Sequence, residues 1–484
     1  MPVIQPPPMD FLTIAPLAIV SVTAMIVLLV GLFVKQDQSP VLGAISLIGV
    51  SVAFLATMAL WGQNRPAFDG AVVGDSYFAF FGAVSLAIVA LTTILSAEFV
   101  TREGFQAGEY YGLLLFASAG ALILAMSRDL IVLIIGLEVL SMSLYVLAGF
   151  ARERLTSEEA AIKYFLLGSF SLALLVYGTA LIYGATGSTQ FGAIAQALQQ
   201  PGLLSNPLLL AAVGLLLVGF GFKLSFVPFH QWTPDVYQGS PTSVTAFMSV
   251  GVKAAVFAAL LRVLTEALPG LQAQWGAVLW ALAILTMILG NFAAIVQSDV
   301  KRMLAYSSIA QAGYMLIAVV SSSSLGRDAL MFYVAAYAVM NIGAFAVVQT
   351  LSGKEDDDTT FAAFEGLGQR NPWLAGAMAV FMFSLAGLPP TAGFMAKLYI
   401  FTAALQAGHL VLALVAVVTS VVASFYYLRL TVAMFMRPTM RGIAPVRVPT
   451  SLALILVVAV ILTLQMGILP GFPLNFAHAT LALR

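Results

Sequence analysis

Six charged side chains, Glu138, Lys163, Lys223, Lys253, Lys397 and Arg429, lie inside long apolar stretches of this chain, whereas the other 36 of its 42 charged residues fall in or beside polar connections. A charge at the centre of a bilayer costs about 2.5–3.5 kcal/mol even on the most lenient scale, so such a set is expected where ions or protons are carried. Amines and carboxyls suit proton loading and release, because burial disfavours the charged form of each and an opposite charge nearby favours it. Glu138, Ser141 and Tyr145 stand at i, i+3 and i+7 and share one helix face. Glu138 is either a protonated carboxyl that packs helices or an ionised group that tunes a lysine, and Lys223 is the partner expected for it. Thr242, Thr245, Ser249 and Lys253 step by three, four and four, a hydroxylated stripe that ends on an amine. Hydroxyls alone would read as packing glue; the lysine favours a water path.

The remaining groups carry less. Several residues separate Lys397 from either polar boundary, which argues against simple snorkelling. Lys163 lies close to the polar stretch ARERLTSEEA and is either a snorkelling lysine or an accessory site. Arg429 never gives up its proton and reads as a fixed charge or anchor. His230, in VPFHQWTPDVYQGSPT, has an ordinary pKa of about 6.5 that suits proton exchange, and a structural role is equally open. Ser249 and Tyr306 join it as accessory positions. Ser307, Gln311 and Tyr314 share a face that carries no charge.

These groups need membrane helices to hold them. A span takes about 20 apolar residues, and fourteen segments qualify: about 11–34, 41–61, 77–97, 110–126, 129–149, 161–185, 207–226, 241–264, 275–296, 303–323, 328–351, 373–405, 410–436 and 450–469. Two are interrupted. In GFGFKLSFVP, Gly219, Gly221 and Pro228 break the run around Lys223; in SLAGLPPTAGFMAK, Gly387, Pro389, Pro390 and Gly393 break it ahead of Lys397. Irregular backbone at membrane depth is tolerated only when buried in protein or lining a wet cavity. A matched pair of interrupted helices points to an internal repeat and its ion site. The breaks lie five spans apart, and an odd number gives two units of inverted topology.

Composition excludes other classes. The chain is 61% apolar and 9% charged, against about 25% charge in soluble domains. Net charge is zero, so no nucleic-acid partner is indicated, and there is no cysteine for a thiolate-ligated cluster or a disulfide. Three histidines, His230, His409 and His478, are too scattered for a metal cage. The N-terminal ten residues lack the basic n-region of a cleavable signal, so the first apolar run is expected to be a retained helix. Connections after odd-numbered spans hold eleven Lys/Arg and the opposite face five, Arg262 among the latter; the positive-inside rule then places both termini on the periplasmic side. The run Lys354-Glu355-Asp356-Asp357-Asp358 reads as a solvated loop.

The motifs together resemble the antiporter-like membrane subunits of respiratory complex I, the proton-pumping NADH:quinone oxidoreductase. They are GLEVLSMSLYVLAGF, AAIKYFLLGSFSLALLVYG, GFGFKLSFVPFHQWTPDVYQGSPT, VGVKAAVFAALLRV, SDVKRMLAYSSIAQAGYML, SLAGLPPTAGFMAKLYIF and SFYYLRLTVAMFM, in that order over roughly residues 75 to 440. GLEVLSMSLYVL, SFYYLR and a Lys after the GLPP break favour the subunit N branch of that family.

The resemblance implies an all-α polytopic membrane protein with inverted five-helix repeats over spans four to eight and nine to thirteen. Within one integral membrane domain it divides the chain at about 1–109, 110–266, 267–440 and 441–484. It implies a proton route from Glu138 and Lys223 through Lys253 to Lys397, with Lys163 accessory. It also implies a bacterial inner-membrane location among other membrane and peripheral subunits, with lipids and protons as the remaining partners. Flavin, iron–sulfur clusters and quinone would belong to partner subunits, and none to this chain. Two alternatives stay open: a membrane subunit of a multisubunit cation/proton antiporter, which shares most of these motifs, and a structural spacer, which has no reason to carry buried lysines.

Overall fold

A computed structural model of the chain describes residues 9–35, 39–353, 358–438 and 446–471. The acidic loop expected at 354–358 and His478 fall outside these, apart from Asp358. The chain opens with α1 (Phe11–Gly31), α2 (Ser39–Met58), a small antiparallel hairpin of β1 (Asn64–Ala67) and β2 (Val72–Asp75), and α3 (Ser76–Arg102). There follow α4 (Ala107–Met126), α5 (Leu130–Ala148), α6 (Leu155–Thr186), the short α7 (Phe191–Ala197), α8 (Pro207–Leu224) and the short α9 (Trp232–Gly239). The eighth span is continuous over Thr242–Ala267. It holds α10 (Thr242–Phe247), a π-helical segment Met248–Val252, α11 (Lys253–Arg262) and a second π-helical segment Val263–Ala267. Then come α12 (Gln272–Ile295), α13 (Val300–Val320), α14 (Ser324–Leu351), the single turns α15 (Phe361–Phe364) and α16 (Leu367–Arg370), α17 (Pro372–Ala386), α18 (Ala392–Gln406), α19 (Leu410–Met436) and α20 (Thr450–Ile468).

Thirteen helices among the described residues are long and apolar enough to span a membrane. The fourteenth expected segment is the pair α17 and α18, two half-length helices separated at Gly387–Thr391. The eighth span, α13 and α14 are buried nearly all round and form the centre. The rim helices α1, α6, α12, α19 and α20 turn large apolar side chains such as Phe170, Val421 and Val457 outward. Polar side chains accordingly gather at the centre, where packing and hydrogen bonds rather than water avoidance hold helices together.

Helix starts are capped as the sequence allows. Asp129 accepts from the Ile131 amide and from Thr189 Oγ1 (2.7 Å), tying the start of α5 to the chain after α6. Asp299 does the same for α13, accepting from the Arg302 amide (2.8 Å) and from Thr359 Oγ1. Since successive spans alternate in direction, these two devices sit on opposite faces of the bundle.

The seventh span departs from expectation. Its helix runs unbroken through Gly219 and Gly221 to Leu224, with Lys223 in its last turn, and the interruption begins only at Ser225, a left-handed C-cap with φ of 62°. Helix α8 ends there because the chain turns back into α9, and Val227–Pro228, like Pro389–Pro390 in the second break, is cis.

Arg262 is a second departure: it sits inside the eighth span, 1% exposed, and not in a connection. Its guanidinium grips Asp75 at 2.9 and 3.0 Å and lies 4.6 Å over the Tyr77 ring. Arg128 joins this group through Glu266 at 2.8 Å and Asp75 at 3.6 Å. Asp75 also caps α3, so the pair pins the hairpin and α3 to the end of the eighth span. Removing one partner of a buried pair costs about 3–5 kcal/mol. Arg262→Ala should therefore lower the thermal unfolding temperature of the purified protein clearly. Arg65→Ala, which breaks an exposed pair with Asp10, should leave that temperature nearly unchanged, since solvent screens such pairs. Equal losses would contradict the assignment.

Candidate functional site

Lys223, Lys253 and Lys397 are all deeply buried, at 4%, 1% and 4% exposure, and each meets a different environment. Lys223 projects from the last turn of α8 into an aromatic cage. Its Nζ donates to Tyr145 Oη at 3.2 Å and lies 4.9 Å over the Tyr145 ring, 4.8 Å over Tyr164 and 5.6 Å over Phe222. Ring faces carry negative charge and attract a cation, more strongly where water is excluded. Trp232 backs the cage, stacked on Tyr164 at 4.5 Å, and its indole N–H donates to the Phe222 carbonyl at 3.0 Å. That bond gives a second donor to a carbonyl that the Ser225 amide already meets where α8 ends, and Thr286 Oγ1 accepts from the Val227 amide in the turn.

Glu138 is half-buried on α5 and lies within electrostatic reach of both Lys223 and Tyr145. The expected direct pairing with Lys223 is not made: the lysine's hydrogen bond goes to the Tyr145 hydroxyl, on the same helix face as Glu138. The coupling is through space, with a phenol beside it. Sequence periodicity put Tyr145 on that face but offered no sign that it would hold the lysine.

Lys397 is held by the second break. Its Nζ donates to the carbonyls of Leu385 (3.1 Å) and Ala386 (2.8 Å) and to Ser420 Oγ (2.7 Å). An ammonium has three hydrogens, and here all three find acceptors. The two carbonyls end α17, where freed acceptors and the negative end of the helix dipole favour a cation. Gly387 closes α17 in the left-handed conformation, φ 88°. Lys397 also lies 5.0 Å over the Tyr314 ring. Tyr314 follows Ser307 by seven residues on α13 just as Tyr145 follows Glu138 on α5, so both lysines sit over a tyrosine but only one site has a carboxylate.

Lys253 follows the π-helical segment Met248–Val252, and among the described residues its Nζ has no hydrogen-bond partner. Ser249, one turn earlier, accepts from Asn341 Nδ2 of α14 at 2.7 Å. Asn341 is a site residue that sequence reading did not single out; an amide in an apolar helix was the available signal. Gln311 Nε2 donates to the Leu385 carbonyl and to Tyr427 Oη, both at 3.2 Å, and Gln311 Oε1 accepts from Tyr333. Ser307 bonds Tyr427 as well. Tyr306 stands outside this network, half-buried against the core.

Lys163 is placed elsewhere. It is 38% exposed and pairs with Glu159 and Asp235, each at 2.6 Å. Arg302 bonds Asp235 from the other side at 2.7 Å. Glu159, Asp235 and Arg302 line a cavity of about 600 Å³ with Arg154, Gln238 and Asp299, on the face that carries most of the basic connections, and Lys163 reaches it through its two carboxylate partners. Burial opposes ionisation of Asp235, but Lys163 and Arg302 outweigh it and hold its pKa below the ordinary 3.8. Burial pushes His230 below the ordinary 6.5, against a hydrogen bond with the Pro228 backbone, so its imidazole is neutral at pH 7. Arg429 is an anchor: its guanidinium donates to the carbonyls of Ile295 (2.7 Å) and Gln297 at the end of α12 and lies 4.1 Å over Phe361.

Residues 127–423 match the family described as "NADH:quinone oxidoreductase/Mrp antiporter, TM". The chain is 46% identical over 470 residues to a protein of Trichlorobacter lovleyi named NADH-quinone oxidoreductase subunit N, covering 97% of this chain and 96% of that one. This chain belongs to the subunit N family. A Chloroflexus aggregans protein of the same name is also 46% identical, over 96% of each chain. Among solved structures, a chain of respiratory complex I from Thermus thermophilus with bound aureothin superposes with a TM-score of 0.81 at 39% identity, over 95% of this chain and 98% of that one. A chain of the Mrp complex from Dietzia shares the fold, with a TM-score of 0.83 at 20% identity over 98% and 97%.

Two outcomes follow from the geometry. A Cβ at Gly168 would lie 2.1 Å from Tyr145 Oη, so a structure of Gly168→Ala should show that hydroxyl beyond hydrogen-bonding reach of Lys223, about 3.5 Å; an unmoved ring would refute the constraint. For Asp235, a depressed folded-state pKa means the ion-pair stabilisation is complete above its ordinary value and is lost as pH falls through the folded one. The stability gap between wild type and Asp235→Asn should stay constant from about pH 8 to 5 and close only below about pH 4. A gap that already narrows near neutrality would exclude this.

Proposed function

We propose that this chain is a proton-translocating membrane subunit of NADH:quinone oxidoreductase, in which Glu138, Lys223, Lys253 and Lys397 pass protons across the bundle. The observation that carries it is the burial of three lysines at the centre of a chain whose family members are named for that enzyme. Buried lysines are costly and have no purpose in a spacer. Protons are taken up through the cavity lined by Asp235 and Arg302, where Lys163 acts as an accessory charge. Glu138 biases the caged Lys223 through space: an ionised Glu138 stabilises the ammonium, and its neutralisation or withdrawal releases the proton toward Lys253 and on to Lys397. The two breaks with their tyrosine-backed lysines, and the Asp129 and Asp299 devices on opposite faces, support two inverted halves over spans four to eight and nine to thirteen. The bias of basic connections supports termini on the periplasmic side of a bacterial inner membrane. Flavin, iron–sulfur clusters and quinone are assigned to partner subunits, whose electron transfer drives the change at Glu138.

Lys223→Ala and Glu138→Ala should each abolish redox-driven pumping while the complex still assembles. Wild-type proton-to-electron stoichiometry in both variants would sink the relay. Purification with small antiporter subunits, and without peripheral flavin and iron–sulfur subunits, would instead support the cation/proton antiporter reading.

A further inference from the structure

The relay has a gap between Lys253 and Lys397, and α14 crosses it. Tyr333, Tyr337 and Asn341 step by four along this helix and form one face. All three are fully buried. At one end Asn341 bonds Ser249, one turn from Lys253. At the other, Tyr333 bonds Gln311, which also holds Tyr427. Tyr337 lies between them, close to Tyr237 of the first half, Tyr427 of the second, and Ser308 of α13.

Two buried polar atoms along this line, Lys253 Nζ and Asn341 Oδ1, make no hydrogen bond among the described residues, and between the two ends the Tyr337 and Ser308 hydroxyls stand close to each other. Buried polar groups without a partner are rare in native proteins. A contiguous set of donors and acceptors is what ordered waters bridge. Beyond Tyr337 the hydroxyls continue on α19, where Tyr427, Ser424 and Ser420 share a face and Ser420 Oγ accepts from Lys397 Nζ at 2.7 Å. The alternative, that Tyr337 is only an aromatic packing residue, explains its ring but not a hydroxyl directed into this polar line.

We propose that the Tyr337 hydroxyl carries protons between Lys253 and Lys397. The inference rests on the relay reading above and names the link it requires. The transfer leaves the tyrosine neutral. The Lys253 ammonium gives up a proton to the hydroxyl and water line. Tyr337 takes the incoming proton on its oxygen and releases its own toward Tyr427. The Lys397 amine gains the last one, so one ammonium is lost and one formed. Asn341 and Gln311 are amides that do not carry the charge; they are positioning residues that orient Ser249 and Tyr427.

The test is Tyr337→Phe in the assembled, reconstituted complex, which keeps the ring and removes the hydroxyl. NADH-driven proton movement should fall about a hundredfold, the lower end of what a positioned proton-transfer group contributes. The slowing in D2O should grow, which a packing role would not produce, and Tyr337→His should restore part of the rate. Wild-type pumping and isotope effect in Tyr337→Phe, with pumping lost in Lys253→Ala and Lys397→Ala, would overturn the link and leave the relay standing. Wild-type pumping in the lysine variants would overturn both. If Tyr337→Phe does not assemble, Tyr427→Phe is measured in its place; the same loss supports the link, and wild-type pumping overturns it.

Discussion

A helix that ends inside hydrocarbon leaves carbonyls that only the protein can satisfy, and the two lysines at the breaks are organised around that constraint. At the second break the lysine itself is the solution: Lys397 meets the Leu385 and Ala386 carbonyls that close α17. At the first, the Ser225 and Phe226 amides and Trp232 meet the Gly221 and Phe222 carbonyls, which leaves Lys223 free of backbone duty and surrounded by rings. The same need thus yields one lysine whose hydrogens are all accepted and one that has a single acceptor.

That asymmetry has a mechanistic reading. A lysine held by three acceptors is a secure seat for a proton, whereas one held by a phenol and ring faces depends on what charge stands nearby. Glu138 is that charge, and Ser307 occupies the corresponding place before Tyr314. In the proposed relay, a carboxylate beside the weakly supported lysine and none beside the strongly supported one makes the first site the responsive one.

The charged groups at the two faces do different work. Arg262 and Asp75 sit in a dry interior and lock the hairpin and α3 against the eighth span. Asp235 and Arg302 border a cavity, with Lys163 paired to Asp235, and remain within reach of solvent. One cluster resists movement where the buried span ends; the other draws charge from α6, α9 and α13 to a single carboxylate, beside the uptake side of the proposed route.

Apolar run length determined the number of spans, because hydrocarbon thickness sets helix length, and charges within those runs singled out Glu138, Lys223, Lys253 and Lys397 as candidates, because a charge in hydrocarbon is costly to keep. Proline and glycine marked the second break correctly, yet at the first they suggested an interruption around Lys223 where α8 in fact continues past it; glycine weakens a helix without having to end it. Arg262 was misread as a loop residue since it lies near the end of an apolar run, and depth there depends on what packs around it. What only the tertiary structure decided is who meets whom. Tyr145 on Lys223, Asn341 on Ser249 and Gln311 between Tyr333 and Tyr427 join residues 22 to 116 positions apart. Periodicity reports which face of its own helix a residue occupies, and says nothing about which other helix that face will touch.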